Sequence, residues 1–243
     1  MFNTIELGVI IKSKDLNYFE YAHSQSVLNK ILWLEVIRNL KPYLGKNFDR
    51  VLEVGSGHGE FINQVKGREK HAVDLIFPTK NTLSKDIIFH KIDLTKNKLN
   101  FNIKFNLIFS SNMLEHMDLS SVHSVIKQME MLLDDNGILV LIGPNFKTSY
   151  KHYFDDPTHV TALSNTTLIL IAKKCGLIPR KVIPKFLPYT MQSSLGGPQF
   201  LKRYPIMAEF LLRLYLTSLV RPFSGQFALV FTKPMDKSKG DAE

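Results

Sequence analysis

The chain has 243 residues, 44% of them hydrophobic, which suits one α/β domain with a substantial core and excludes a disordered or fibrous polypeptide. Its single cysteine, Cys175, excludes an internal disulfide and a cysteine-rich metal centre, and reads as a buried core thiol. The net charge of +9 admits nucleic acid, an anionic membrane or an anionic substrate as partner, but Lys85, Lys91, Lys96, Lys98 and Lys104 are scattered rather than blocked with aromatics.

In chain order, the first segment, Met1 to Glu6, has no basic region ahead of an apolar run, so no signal peptide is expected and the expected location is cytoplasmic. Residues 15–44 read as helical, with Val27, Leu28, Ile31, Leu32, Val36, Ile37 and Leu40 at three- and four-residue spacing and Pro42 and Gly45 marking the end. Val51, Leu52 and Val54 make a buried strand that runs into Gly55-Ser56-Gly57-His58-Gly59 and then the start of a helix. Alternate glycines let the backbone turn sharply and approach a ligand, and a helix start adds free N–H groups and partial positive charge. The dinucleotide fingerprint G-x-G-x-x-G fails here by one residue, at Glu60. A second strand, 70–75, ends at Asp74, 19 residues past Gly55, where an acid is placed to accept hydrogen bonds from a ribose diol. Strands at 87–92, followed by Asp93-Leu94, and at 105–111, followed by Asn112-Met113-Leu114-Glu115-His116, come next. A helix to about Leu133, the turn Asp134-Asp135-Asn136-Gly137 and a strand to Ile142 complete the run.

The pattern Val51-Leu52-Glu53-x-Gly55-x-Gly57-x-Gly59 resembles that of class I S-adenosylmethionine-dependent methyltransferases, and the later elements follow in that family's order over about residues 50–145. The resemblance implies a Rossmann-like α/β fold: a seven-stranded, mostly parallel sheet with an antiparallel last strand and helices on both faces. It implies S-adenosylmethionine as cofactor. Glu53, Gly55, Ser56, Gly57 and Gly59 would lie along its amino-acid part, Asp74 and Leu75 at the ribose, and Asp93 and Leu94 at the adenine. Ser111 and Asn112 would open an S/N-x-x-E-H element that lines the transfer crevice with Glu115 and His116. Asp-Asn-Gly stands where the family has Pro-Gly-Gly. In this fold the leading helical region, here 1–47, commonly covers the cofactor, with Tyr18, Phe19, Tyr21 and His23 as candidate lid residues.

Past the fifth strand, Asp156-Pro157-Thr158-His159-Val160 resembles a subgroup of bacterial methyltransferases that accompany glycosyltransferases in polysaccharide or glycolipid assembly. His159, with Asp156, is the first candidate to take a proton from an acceptor hydroxyl and His116 the second. His152, Asp155, Asp156 and His159 can also be read as ligands of a divalent cation, or Asp156 and Thr158 as a helix cap and turn that His159 orients. No metal is assigned from these alternatives.

A helix over 166–174 and strands over 177–186 and 223–232, paired as an antiparallel edge, close the domain, expected as one unit over 1–234 with a polar tail over 235–243. An insertion over 188–222 holds the loop Ser193 to Pro198 and the apolar stretch 207–220, too short and too charged to span a bilayer. It reads as a core helix, a contact in a homodimer, or an interfacial helix whose Lys202, Arg203, Arg213 and Arg221 suit an anionic membrane surface. The expected activity is methylation of an oxygen on a sugar, glycan or glycolipid precursor. Alternatives are a membrane-docked quinone or lipid methylase, a non-catalytic cofactor-binding partner of a glycosyltransferase complex and, remotely, a dinucleotide oxidoreductase. Nucleic acid is not an expected partner, because the Asn/Asp-Pro-Pro-Tyr element of amino methylases is absent after the fourth strand.

Overall fold

The computed structural model describes residues 27–45, 48–76, 82–188, 205–217 and 224–234. Tyr18, Phe19, Tyr21, His23, the loop Ser193 to Pro198, Lys202, Arg203, Arg221 and the tail 235–243 lie outside the described residues. Helix α1 (Val27–Leu44) leads into β1 (Arg50–Val54), β2 (Glu69–Asp74), β3 (Ile87–Lys91) and β4 (Phe105–Ser111). Then follow α2 (Leu119–Leu132), β5 (Leu133–Pro144), the four-residue α3 (Phe146–Ser149), α4 (Asn165–Lys174), β6 (Ile178–Pro188), α5 (Pro205–Thr217) and β7 (Ser224–Thr232). The strands form one sheet in the order β3-β2-β1-β4-β5-β7-β6, with β7 antiparallel to both its neighbours and the others parallel.

Period-two alternation puts each central strand into two cores. Leu52, Val54, Ile108, Leu139, Leu141, Leu229 and Phe231 pack on one face with α2 and α4. Val51, Leu107, Phe109, Val140, Ile142, Ala228 and Val230 pack on the other with α1 and the Phe61–Val65 turns. The helices carry matching stripes: Leu32, Val36, Leu40 and Leu44 on α1, and Val122, Val125, Ile126 and Met129 on α2. Helix α2 starts where Asp118 Oδ1 accepts the Ser121 N–H at 2.9 Å, and this cap with the Ser120 and Ser121 hydroxyls holds its carboxyl down at about 2. Prolines 179, 184 and 188 fall on β6, the edge strand, where a missing N–H costs least and the register with β7 shifts.

Two local expectations change. The glycine turn is followed by turns over 57–64 rather than a helix, with bonds from Asn63 N–H to Gly59 O and Val65 N–H to Phe61 O. Glu115 and His116 do not open α2 but lie on a separate 3₁₀ turn, Leu114–His116, ahead of the Asp118 cap. Helix α1 ends at Leu44 as expected, with Pro42 in its last turn. The Asp134–Gly137 turn is looped out of β5 opposite a register shift in β4, folded so tightly that a Cβ on Gly137 would lie 2.8 Å from Phe105 O.

Helix α5 buries Leu216 against the α1 core, with Leu212 and Tyr215 partly buried beside it. Its other side exposes Ile206, Phe210 and Leu214 in an i, i+4 stripe, flanked by Met207 and Leu211. Arg213 pairs with Glu209 at 2.9 Å and reaches Glu35 of α1 at 3.5 Å. No described helix is long and apolar enough to cross a membrane.

On β2 and β3, His71 Nδ1 and His90 Nε2 share one hydrogen bond at 2.8 Å, beside Phe101 and Phe105. Such a bond needs one ring nitrogen without a proton, and burial followed by charge on His71 lowers the pKa of His90 below its usual 6.5. The unfolded chain therefore binds the extra proton first. The contribution is fully present above pH 6.5 and is lost as pH falls through the lowered value. Urea unfolding of the wild type should show this decline on acidification, and His90→Asn should flatten that part of the profile. An equally steep decline in the variant would remove His90 as its source.

Candidate active site

The glycine loop leaves β1 at the carboxyl edge of the sheet, where Gly55 N–H and Ser56 N–H both donate to Val73 O of β2, at 2.8 and 3.1 Å. Gly55 and Gly59 have φ of 74° and 78°, and a Cβ would lie 2.7 Å from the Met113 side chain at the first and 2.1 Å from Leu83 Cδ2 at the second. The backbone angle therefore favours glycine at both, and a side chain would in addition have to displace Met113 or Leu83. Asp74 stands at the loop's edge, with Oδ2 accepting the Gly57 N–H at 2.8 Å and Oδ1 the Ile76 N–H at 3.0 Å. Ser56 Oγ is buried with no hydrogen-bond partner among the described residues.

Glu53 is buried within β1, and its Oε2 accepts the Ile62 N–H at 3.0 Å, which ties the turns after the loop back to the strand. Burial, then the Glu60 charge, pushes its carboxyl well above the usual carboxylate range. At the next strand end, Ile92 N–H donates to Asp74 O. Asp93 Oδ1 accepts from Thr95 N and Oγ1 and its Oδ2 faces Lys96 at 3.2 Å, contacts that lower its pKa, the Thr95 hydroxyl foremost. Leu75 is exposed at the rim, while Leu94 packs against the α2 core.

The other lip is the end of β4. Asn112 adopts φ of 48°, uncommon for a residue with a Cβ, held by its N–H to Ile142 O and by Nδ2 to Ser111 Oγ at 3.2 Å. Ser111 and Asn112 line a narrow crevice with Leu32, Trp33, Leu187, Pro188 and Gln226. Gln226 Oε1 is buried there without a partner among the described residues. Trp33 meets Phe61 and Phe109 edge-on, so α1 braces the crevice wall.

Beyond this lip the 3₁₀ turn and the 153–161 segment clasp each other. The Glu115 carbonyl accepts Val160 N–H at 2.8 Å and Thr161 N–H at 3.1 Å. Fully buried Tyr153 gives its hydroxyl proton to Thr161 O and accepts the Leu163 N–H. Asp156 Oδ1 accepts from Thr158 N and Oγ1, so the residues read as a cap do form a turn, though α4 starts later, capped by Ser164. The clasp brings His116 and His159 to 5.1 Å between ring centres. His116 Nδ1 lies 3.0 Å from Thr158 O, and His159 Nδ1 lies 2.6 Å from Tyr153 O. A carbonyl only accepts, so each Nδ1 is the donor and the neutral ring keeps its lone pair on Nε2. Asp156 Oδ2 lies 3.9 Å from His159 Nε2.

Burial, then charge on His116, lowers the His159 pKa below the usual imidazole value. Glu115, 2% exposed, is raised to about 7, chiefly by burial and against the pull of His116. His152 and Asp155, by contrast, pair with each other at 2.8 Å, each 69% exposed. The set of three metal-type side chains that this region brings together is Glu115, His116 and His159, one donor atom from each within 4.8 Å of the others. Sequence reasoning had Glu115 and His159 as separate features and passed over Tyr153. An aromatic six residues before a histidine carries no signal until the loop is closed.

A family model described as "Methyltransferase domain" matches residues 28–180. No curated protein matches the chain. Solved structures with the same fold include the N-methyltransferase NodS of Bradyrhizobium japonicum WM9 in complex with S-adenosyl-L-homocysteine. That likeness has 14% identity, covers 83% of this chain and 84% of that one, and has a TM-score of 0.55. A SAM-dependent methyltransferase from Archaeoglobus fulgidus has 18% identity, coverage of 90% and 99%, and a TM-score of 0.59. The plantazolicin methyltransferase BpumL, in complex with a triazolic desmethylPZN analog and SAH, has 11% identity, coverage of 92% and 91%, and a TM-score of 0.58.

Tyr153→Phe removes one hydroxyl from the clasp and leaves the Thr161 carbonyl and Leu163 N–H unpaired, which should cost about 1–3 kcal/mol. Chemical denaturation should show that loss, and amide exchange should rise across 158–163. A variant as stable as the wild type would mean that water replaces the hydroxyl at no cost.

Proposed function

The chain belongs to the methyltransferase-domain family, and on that premise we propose that it moves the methyl group of S-adenosylmethionine onto a hydroxyl oxygen of a sugar, glycan or glycolipid precursor. The fold alone does not choose the acceptor. The observation that carries the oxygen assignment is the tautomer of the imidazole pair, each ring giving Nδ1–H to a backbone carbonyl and keeping a lone pair on Nε2. A hydroxyl must lose its proton as it attacks carbon, and a neutral imidazole suits that task near neutral pH.

The loop residues fit the cofactor. Asp74 spends one lone pair of each carboxylate oxygen on a backbone N–H, leaving a second on each for the two hydroxyls of a ribose. Ser56 Oγ and Gln226 Oε1 are buried polar atoms without partners among the described residues, as expected where a polar ligand supplies them. Asp93 is more heavily engaged, and an adenine amino group would share its Oδ2 with Lys96. Bound there, S-adenosylmethionine supplies a methyl group already made electrophilic by its sulfonium. The chain's own work is to align the acceptor, exclude water and receive the proton, and alignment alone accounts for a large rate factor. Proton removal falls to the cluster of His159, His116 and Asp156.

The acceptor class is supported by the Asp156-Pro157-Thr158-His159-Val160 resemblance. The exposed α5 stripe of Ile206, Phe210 and Leu214, on a chain of net charge +9, favours a lipid-linked member of that class presented at an anionic membrane surface.

His159→Ala should leave the affinity for S-adenosyl-L-homocysteine unchanged by calorimetry while turnover falls at least ~10-fold; undiminished turnover on the true acceptor sinks the assignment. Asp74→Ala should lose cofactor binding in the same assay. Wild type should co-float with anionic liposomes and Phe210→Asp should do so less; no flotation of the wild type would leave a soluble acceptor.

A further inference from the structure

We infer that Glu115, His116 and His159 form a binding site for one divalent transition-metal cation beside the glycine loop. One donor atom from each lies within 4.8 Å of the others. Donors sharing a tetrahedral cation stand about 3.3 Å apart, so at most about 1.5 Å of closure is needed, within reach of side-chain rotation. Two imidazoles and one carboxylate select Zn²⁺, Mn²⁺, Fe²⁺ or Co²⁺ over Mg²⁺ and Ca²⁺, which prefer all-oxygen sets. Three protein ligands leave positions open, as in catalytic rather than structural sites.

The surroundings are already those of a metal site. Metal-binding histidines almost always give their other ring N–H to a carbonyl or carboxylate, which fixes the tautomer and presents the remaining nitrogen. Both histidines do so, to Thr158 O and Tyr153 O. His116 Nδ1 also lies 3.0 Å from Thr158 Oγ1, whose proton goes to Asp156 at 2.6 Å, so a hydrogen-bonded chain runs from ligand to carboxylate. Glu115 is buried beside His116 and near Asp156, a setting in which a cation relieves the cost of burying its charge. Met113, two residues before Glu115, lies against Gly55, which sets the cluster next to the cofactor loop.

The use of the site rests on the methyl-transfer reading; its existence does not. An acceptor hydroxyl, or a pair of vicinal hydroxyls, takes the open positions. Coordination lowers the hydroxyl pKa, and its proton passes to the Asp156 carboxylate, 3.9 Å from His159 Nε2. The cation thus decides which member of the cluster receives the proton. His152 and Asp155, paired with each other at the surface, take no part.

The test uses the full chain, stripped with a chelator and titrated with Co²⁺ alone by visible absorption, then with Zn²⁺ by competition. Wild type should bind one equivalent with a low-symmetry Co²⁺ spectrum. His116→Ala, His159→Ala and the isosteric Glu115→Gln should each weaken binding at least ~10-fold, while His152→Ala binds as wild type. Calorimetry with S-adenosyl-L-homocysteine on the same samples reports folding and the cofactor site separately. No saturable binding, or binding equally tight in the three variants that still take up the cofactor product, overturns the proposal. Cation binding with no cofactor product bound by any sample would instead sink the methyl-transfer reading and leave the metal site standing.

Discussion

Neighbourhood of β1 and β4 is the constraint from which the site follows. From β1 the chain builds outward through β2 to β3, then returns to place β4 on the opposite side of β1. Connections therefore leave these two strands in opposite directions, and the sheet opens a crevice at their carboxyl ends. The glycine loop forms one lip and Ser111-Asn112 the other, close enough that Met113 fills the space a Gly55 side chain would need. Burial of both sheet faces makes this arrangement stiff. Val51, Leu107 and Phe109 point into one core and Leu52, Val54 and Ile108 into the other, so neither strand can slip by one residue without turning its apolar set to the wrong face.

A second device works on that scaffold without regular structure of its own. The 153–161 segment is held by its backbone: two N–H groups on the Glu115 carbonyl, Thr161 O and Leu163 N on the Tyr153 hydroxyl, and Thr158 O and Tyr153 O on two imidazoles. These contacts choose the tautomers of His116 and His159, and so the chemistry they can perform. The same closure puts Glu115 out of water beside them, which raises its pKa to about 7. Helix α5 adds a separate surface, one side packed on α1 and the other apolar and exposed, away from the hydrogen-bonded cluster.

Much of the fold was legible because its signals are local. Alternation in Val51-Leu52-Glu53-Val54, the Gly55 turn, Asp74 at a strand end and Gly176 after α4 each follow from neighbours within a few residues, and the strands appear within a residue or two of their expected bounds, except β5, which starts at Leu133 ahead of the expected turn. The stretch after Gly59 reads as a helix because its apolar spacing is helical. The Glu53 carboxyl, nine residues back, takes the Ile62 N–H, and left-handed glycines set a different path. The start of α2 was placed too early because an acid at Glu115 looks like a first-turn residue, whereas Asp118, with Ser121 three residues on, makes the cap.

By itself, then, the sequence determined the order of strands and helices, the glycine loop with its acids, and the methyltransferase resemblance, since turn chemistry and apolar periodicity act over a few residues. Only the tertiary structure decided which histidine and carboxylate side chains share one space. His152, Asp155, Asp156 and His159 are adjacent in sequence and look like one set, yet the first two face solvent as a pair. Glu115 and His116, more than 40 positions from His159, complete the cluster instead. Side-chain proximity is set by long-range hydrogen bonds and burial, which no local pattern encodes.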